Sequence, residues 1–228
     1  MPVGVITGAS RGLGLELARA LHERGWELIV DARDGEALEE AVRSLAGVRA
    51  IPGDVTDPRH RAEVARVAAG RGRLDLLVNN ASTLGPTPRP ALADYPLSEL
   101  ERVLSTNLVA PLGMVQALLS LLERSGGTIV DVTSDAGSEP YAGWGGYGSS
   151  KAALDQMTAI LAAEHPSLVV YSFDPGDMRT AMHQEAFPGE DISDRADPAS
   201  VAPVLARLVE ERPPSGRYAL ADLVPARG

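Results

Sequence analysis

Short β-branched runs alternate with longer segments of helical period along almost the whole chain. The run VGVIT (3–7) precedes a segment (14–25) in which Leu17, Ala18 and Leu21 can share one helical face. Strands separated by helices can pair in parallel, and the helices then cover both faces of the sheet. The sequence therefore predicts an α/β fold, a doubly wound parallel sheet of about seven strands in a single domain, 1–228.

Apolar periodicity and capping residues set the expected boundaries of these elements. Asp57 before Pro58 is a typical N-cap followed by proline at the first helical position. Ser98 and Glu101 have the spacing of a capping box at the head of a long helix. The predicted strands cover 3–7, 27–32, 75–81, 127–134, 167–174 and 216–223, with a further strand before Asp54. The predicted helices cover 14–25, 36–47, 57–69, 99–123 and 147–164, and another begins at Asp197-Pro198.

The charge balance and the rare residue types argue against several kinds of partner. A net charge of −10 lacks the positive field that a nucleic acid or an anionic membrane would require. The chain has no cysteine and only four histidines, none paired at ligand spacing, so no metal site is expected. The stretch VAPLGMVQALLSLL looks too short to span a bilayer, and MPVGVITGAS does not resemble a secretion signal. We expect a cytoplasmic protein without a nucleic-acid or membrane partner.

The first strand runs into a glycine-rich turn, TGASRGLG at 7–14. Gly8, Gly12 and Gly14 would permit a tight turn, close approach of a pyrophosphate and close packing of the following helix. An ordinary strand-to-helix turn is the alternative, because glycine-rich turns are common. The position of this turn, directly after the first strand, favours a dinucleotide site and a Rossmann-type sheet.

A single lysine, Lys151, stands in a chain that has twenty arginines, and it lies four residues after Tyr147. Residues i and i+4 share a helix face, so both side chains can enter one cleft. Carbonyl reduction needs an acid, and free tyrosine, with a pKa of about 10, is a weak one. An ammonium group at ~4 Å would lower that pKa by roughly three units at an effective dielectric near 20. Lysine is also more compact than arginine and can pass on a proton.

Seven motifs, in their order along the chain, resemble those of the classical short-chain dehydrogenase/reductase family. They are Thr7-Gly8-x-x-x-Gly12-x-Gly14, Asp54-Val55, NNAS (79–82), Asn107 in STNLVAP, Ser134 in VTSDAG, Tyr147-x-x-x-Lys151 and PGDMRT (175–180). The departures are modest: NNAS replaces the commoner NNAG, and Asp131 and Thr133 stand where the family often has Asn and Ser.

The resemblance implies a catalytic set of Asn107, Ser134, Tyr147 and Lys151. In the family, the serine holds the substrate oxygen and the asparagine anchors a water that connects the lysine to solvent. The implied cofactor residues are Gly8, Ser10, Arg11, Gly12, Leu13, Gly14, Arg33, Asp54, Val55, Asn80, Ala81, Tyr147, Lys151, Pro175, Gly176, Met178 and Thr180. The candidate substrate residues are Ser134, Trp144, Tyr147 and Met182, with plain packing as the alternative for Trp144 and Met182.

Residues 31–34 bear on the choice of nicotinamide cofactor. Asp31 and Asp34 lie near the position of an acid that binds the ribose 2′-hydroxyl of NAD. In the family register, however, that acid would fall at Ala32, and Arg33 follows it. Arg33 and Arg11 together suit a 2′-phosphate. The sequence favours NADP(H), with NAD(H) as the alternative.

The predicted function is that of an NADP(H)-dependent oxidoreductase of the short-chain type acting on a small carbonyl or secondary alcohol, with Tyr147 as general acid/base. The same fold could instead reduce an imine or enoyl group, or serve as a non-catalytic dinucleotide sensor. The polar, poorly periodic segment 181–196 is expected to form a substrate lid. By resemblance, the helices at 99–123 and 147–164 are expected to pair in a homodimer or homotetramer.

Overall fold

A computed structural model describes residues 1–224 and shows a parallel sheet with helices on both faces. Over that range the sheet has seven strands in the order β3-β2-β1-β4-β5-β6-β7. The strands are β1 (Val3–Ile6), β2 (Glu27–Ala32), β3 (Arg49–Pro52), β4 (Leu76–Asn79), β5 (Thr128–Val132), β6 (Val169–Asp174) and β7 (Gly216–Ala219). The helices are α1 (Gly12–Glu23), α2 (Gly35–Val42), α3 (Pro58–Ala69), α4 (Leu97–Leu104), α5 (Ala110–Ser125), α6 (Gly145–Glu164), α7 (Ala181–Ala186), α8 (Pro198–Glu211) and α9 (Leu220–Leu223).

Two apolar cores, one on each face of the sheet, confirm the predicted doubly wound arrangement. On one face, Leu17 of α1 and Leu205 of α8 are fully buried against the strands. On the other, Val64 of α3 and Leu118 of α5 are buried in the same way. The chain moves outward in one direction from β1 to β3 and in the other from β4 to β7. The reversal opens a crevice beyond the carboxyl ends of β1 and β4, where such sheets bind ligands.

The helix starts agree with two of the three predicted caps. Asp57 accepts a hydrogen bond from the Arg59 amide at 2.8 Å, and Asp197 accepts one from the Ala199 amide at 2.9 Å. The capping box of Ser98 and Glu101 is wrong. Helix α4 begins at Leu97, directly after Pro96, and no side chain caps it. Pro96 lies at φ −63°, close to the helical value. The proline ring therefore directs the chain into the helix, which starts without a side-chain cap.

The long helix predicted over 99–123 is interrupted. A π-helical turn, Ser105–Val109, separates α4 from α5. Pro111 has no amide hydrogen to donate to the carbonyl four residues earlier, that of Asn107, and this lost α-helical bond accommodates the wider turn. The run Leu97–Ser125 is long and apolar enough to cross a membrane by length and composition, in contrast to the sequence-based expectation. In this fold its α5 portion packs against the sheet.

The end of the described chain also differs from expectation. The last strand was predicted to cover 216–223, but β7 ends at Ala219 and the short helix α9 follows. The Ala219 amide donates to the Asp222 carboxylate at 3.2 Å, which fixes this turn. Within the predicted lid 181–196, the helix α7 is capped by the Thr180 hydroxyl, which accepts from the His183 amide at 3.2 Å.

Candidate active site

A cavity of about 1480 Å³ lies at the carboxyl edge of the sheet. Its volume exceeds that of a typical small-ligand pocket, so it can hold a large cofactor together with a substrate. Most of the residues singled out in the sequence line its wall. These are Gly8, Ser10, Arg11, Gly12, Leu13, Arg33, Val55, Asn80, Ala81, Ser134, Trp144, Tyr147, Lys151, Pro175, Gly176, Met178, Thr180 and Met182.

Three predicted site residues, Gly14, Asp54 and Asn107, do not line the cavity but support its wall. A Cβ atom on Gly14 would lie 2.5 Å from the Asn80 amide nitrogen, so only glycine fits. The Asp54 carboxylate accepts from the amide and hydroxyl of Thr56, at 2.8 and 2.7 Å, and closes the loop after β3. These residues would therefore support the residues that contact a cofactor and would not contact it themselves.

The glycine turn after β1 is built from main chain and held from β4. Gly8 lies at φ +68°, and a Cβ atom there would come within 2.9 Å of the Ala81 Cα. The Asn80 side-chain amide donates to the carbonyls of Thr7 and Gly8, at 2.8 and 3.0 Å. The Thr7 hydroxyl accepts from the amides of Asn80 and Ala81 in return. The turn leads into the N-terminus of α1, whose free amides suit an anion such as a pyrophosphate.

Both acids that could bind a ribose hydroxyl, Asp31 and Asp34, already accept hydrogen bonds from the backbone. Asp31 is buried, accepts from the Gly8 amide at 3.0 Å and lies 3.2 Å from His60 Nε2. Burial raises the pKa of Asp31, and the hydrogen bond from His60 opposes the rise. Asp34 caps α2 by accepting from the Ala37 amide at 3.0 Å.

Two arginines stand at the same end of the cavity. Arg11 and Arg33 are exposed and line the cavity wall. The residue between Asp31 and Arg33 is the buried Ala32, which offers no acceptor for a hydroxyl. Two exposed guanidinium groups, with no acid at position 32, suit a phosphate better than a hydroxyl.

Tyr147 and Lys151 lie on the first turns of α6, at the middle of the cavity. Tyr147 is 9% exposed, and the Lys151 Nζ atom lies 5.5 Å from the centre of its ring. Burial raises the pKa of Tyr147, and hydrogen bonding with the hydroxyls of Ser134 and Ser82 opposes the rise. This direction is opposite to the one expected from the sequence. The phenol is removed from water, and the Lys151 ammonium group donates to the Val132 carbonyl at 2.7 Å.

Lys151 is itself a strongly perturbed group. It is 2% exposed, and burial lowers its pKa to about 8, while the charges of Asp131, Asp155 and Asp174 oppose the change. Asp131 is fully buried in β5, where it accepts from Asn79 at 2.8 Å and from Thr158 at 2.7 Å. One of the positions that depart from the common family pattern, Asp131, is thus a buried acid whose charge acts on Lys151.

Ser134 and Asn107, the other two members of the implied catalytic set, make different kinds of hydrogen bond. The Ser134 hydroxyl accepts from the Ala136 amide at 3.2 Å and donates to Asp135 at 2.9 Å. Asn107, 1% exposed, fastens the loop after β4 to α6: it exchanges hydrogen bonds with the backbone of Thr83 and donates to the Ser150 hydroxyl, each at 2.9 Å. Its side chain makes no hydrogen bond to Lys151 in residues 1–224. The water-anchoring role implied by resemblance stays a prediction.

The other end of the cavity has an aromatic wall. The Trp144 ring lies 5.7 Å from the Tyr147 ring and 5.9 Å from that of Phe187, measured between ring centres. The guanidinium carbon of Arg89 lies 4.1 Å from the Trp144 ring centre. Sequence reasoning missed Arg89, because it lies in the aperiodic segment GPTPRP. It also treated Phe187 only as part of the lid.

The sheet topology and the glycine turn at the head of α1 define a Rossmann-type dinucleotide-binding domain. Residues 2–191 match the family model described as short chain dehydrogenase. The chain belongs to this family of oxidoreductases, as the motif resemblance indicated.

Named relatives include reductases. The chain is 36% identical to a rhamnolipids biosynthesis 3-oxoacyl-[acyl-carrier-protein] reductase of Pseudomonas aeruginosa, over 71% of this chain and 66% of the relative. It is 34% identical to a benzil reductase ((S)-benzoin forming) of Saccharomyces cerevisiae, over 79% and 73% of the two chains. A short chain dehydrogenase of Escherichia coli CFT073, solved in complex with NADPH, superposes with a TM-score of 0.90 at 29% identity, covering 96% of each chain.

Proposed function

We propose that this protein is an NADP(H)-dependent oxidoreductase that transfers hydride between the nicotinamide and a carbonyl or secondary alcohol, with Tyr147 as the general acid. The observation that carries the proposal is the position of Tyr147. Its phenol lies where the glycine-turn end of the cavity meets the aromatic end, within hydrogen-bonding reach of Ser134 and close to Lys151.

The cofactor preference rests on what surrounds Ala32. Asp31 and Asp34 already accept hydrogen bonds from the backbone, whereas Arg11 and Arg33 are exposed residues of the cavity wall. A 2′-phosphate would meet two guanidinium groups there, and charge-assisted hydrogen bonds are stronger than neutral ones. The E. coli relative with NADPH bound is consistent with this preference.

In this proposal the residues of the protein orient the substrate and transfer the proton. A bound nicotinamide dinucleotide would supply the hydride. Tyr147 is protonated at neutral pH in the free protein, but its raised pKa makes it a weaker acid than free tyrosine. The proposal therefore requires bound cofactor and substrate to lower this pKa before the phenol donates its proton to a carbonyl oxygen. Ser134 would hold that oxygen, and Lys151, with its pKa near 8, could return the proton to the phenol.

Substrate-dependent oxidation of NADPH tests the proposal. We expect turnover with members of a panel of ketones and aldehydes, and turnover of the same panel that is slower by roughly 10²–10⁴-fold after Tyr147→Phe. Imines and enoyl compounds in parallel assays, with product analysis, distinguish the other reductions. Tight binding of NADPH without turnover of any compound would instead support the dinucleotide-sensing alternative.

We also propose that 181–196 covers the substrate. Phe187 of this segment packs on Trp144, and His183 packs on Phe187 with ring centres 4.8 Å apart. Backbone hydrogen bonds to Thr180 and Arg179 tie the segment at its two ends, whereas Phe187 is held by side-chain contacts, which can open at low cost. Hydrogen exchange in this segment should slow when cofactor and substrate bind; full protection in the free protein would contradict the lid.

Self-association through the helices at 99–123 and 147–164 is a further proposal. Val109 and Ile160 remain 55% and 46% exposed on this pair of helical regions. Isolated exposed apolar residues are common, so the mass in solution must decide. A monomer mass that does not change with concentration would rule out the pairing.

A further inference from the structure

Arg89 is a cation at the substrate end of the cavity. It lies in the loop between β4 and α4 and contributes to the cavity wall. Its guanidinium carbon stands 4.1 Å from the Trp144 ring centre and 5.0 Å from that of Phe187. Aromatic faces attract a guanidinium group and fix its orientation, but they leave its in-plane donors unused.

The guanidinium group has no counter-ion in the part of the chain that the structure describes. No ion pair between Arg89 and a carboxylate is found within residues 1–224, and the Arg89 Nη1 atom is buried without a hydrogen-bond partner. Glu190, exposed on the lid, acts on it only as a more distant charge. A buried donor without an acceptor is costly, so one that persists beside a cavity calls for an explanation.

The neighbouring arginines of the cavity differ from Arg89. Arg179 forms an ion pair with Asp197. Arg11 and Arg33 lie at the opposite end, where the dinucleotide is proposed to bind. The proposed phosphate therefore does not account for Arg89.

The spacing between Arg89 and Tyr147 limits what could fill the gap. The Trp144 ring contacts both, at 4.1 Å from the guanidinium carbon and 5.7 Å from the Tyr147 ring centre. Both groups thus pack on the same ring, so the cation and the Tyr147 ring centre lie within about 10 Å of each other. A molecule whose carbonyl oxygen meets Tyr147 could therefore reach Arg89 with a second group placed across one benzene ring from the carbonyl.

We propose that Arg89 determines substrate specificity and that the substrate is a carbonyl compound bearing a carboxylate about one ring's width from the reacting carbonyl. The guanidinium group would pair with the carboxylate through two parallel hydrogen bonds. The carboxylate is unchanged in the reaction: the carbonyl carbon gains hydride from NADPH, the oxygen gains a proton, and the product is the hydroxy acid with NADP⁺. This inference rests on the proposed function.

A matched pair of substrates tests the inference. 4-Acetylbenzoate carries its carboxylate across one ring from the ketone, and methyl 4-acetylbenzoate has the same shape without the charge. We expect a higher kcat/KM for the acid. Arg89→Met should lower kcat/KM for the acid by roughly 10- to 100-fold, mainly through KM, because hydrogen bonds to charged groups contribute about 1.5–3 kcal/mol. The ester should change by less than about 3-fold.

The control variants separate charge from packing. Arg102→Met removes the same charge from a surface pair with Glu99, away from the cavity, and should leave both substrates unaffected. Arg89→Lys keeps a cation and should recover part of the preference for the acid. A wild-type preference for the ester, or equal losses for both substrates in Arg89→Met, would show that Arg89 only supports the aromatic wall.

A binding measurement keeps this inference separable from the proposed function. Titration of the NADPH-bound protein with 4-acetylbenzoate, followed by tryptophan fluorescence, does not depend on turnover. If no carbonyl compound is reduced, the proposed function fails, and weaker binding of 4-acetylbenzoate to Arg89→Met than to the wild-type protein would still support the anion site. Equal binding to both proteins would overturn it.

Discussion

The two ends of the cavity are built in different ways. At the glycine-turn end, main-chain groups and small residues form the wall, and Asn80, Thr7 and Asp31 fix them by hydrogen bonds to the backbone. At the aromatic end, large side chains form the wall, and stacking among Trp144, Phe187 and Arg89 holds it together. A backbone cradle fits a constant part of a ligand, whereas a side-chain wall can change with the substrate.

Tyr147→Phe should give the largest effect, because this residue serves both ends. We expect kcat to fall by roughly 10²–10⁴-fold, the usual contribution of a positioned acid. The Kd for NADPH should stay near that of the wild type, since only a hydroxyl is lost.

Lys151→Arg should also nearly abolish turnover, because the wider guanidinium group cannot occupy the buried site beside Val132 or pass on a proton. Near-parental kcat with an unshifted pH profile in Lys151→Arg would contradict this.

A pair of glycine substitutions compares the glycine turn with the lid segment 181–196. Gly8 and Gly189 both have positive φ, at +68° and +82°, so alanine strains each by about 1–2 kcal/mol. Only at Gly8 would the added Cβ meet backbone, 2.9 Å from the Ala81 Cα, and this overlap costs roughly 1–3 kcal/mol more. Denaturant unfolding should show the larger loss for Gly8→Ala. Equal losses would break the contrast between the closely packed glycine turn and the lid segment.

The buried lysine should make stability depend on pH. Burial lowers the pKa of Lys151 from its ordinary value of 10.5 to about 8. Between these values the folded protein has released a proton that the unfolded chain retains, so stability rises with pH across this window. The full rise corresponds to about 3 kcal/mol. Denaturant unfolding at several pH values, compared with Lys151→Met, isolates this contribution. A parallel pH dependence in the two proteins would contradict it.

Arg33→Ala should give the smallest of these effects and sharpen the assignment of the cofactor end. We expect weaker NADPH binding by about 1.5–3 kcal/mol, because one charge-assisted hydrogen bond is lost. NADH lacks the phosphate, so its Kd should change little. Equilibrium titration with each dinucleotide measures both constants. Equal losses would mean that Arg33 does not meet a 2′-phosphate.

Local sequence signals predicted the sheet and the glycine-turn end. The strand β2 and the caps at Asp57 and Asp197 follow from periodicity and from backbone chemistry within a few residues. At the aromatic end the sequence singled out Trp144 and Met182 but not Arg89, because the contact between Arg89 and Trp144 depends on how two distant loops fold together. The pKa of Tyr147 was misjudged for a related reason: burial is a property of the whole fold, and here it raises the pKa more than the hydrogen bonds with Ser134 and Ser82 lower it.

The polar triad of Asn79, Asp131 and Thr158 constrains how this chain can diverge. Each of its side chains comes from a different element, and the two bonds to Asp131 are buried. Replacing one member leaves another without a partner, so a substitution that is harmful alone can be neutral once its neighbour has changed. We therefore expect Asn79, Asp131 and Thr158 to vary together among related sequences. The acid near Lys151 would then distinguish one group of related sequences from another, in addition to being part of the site.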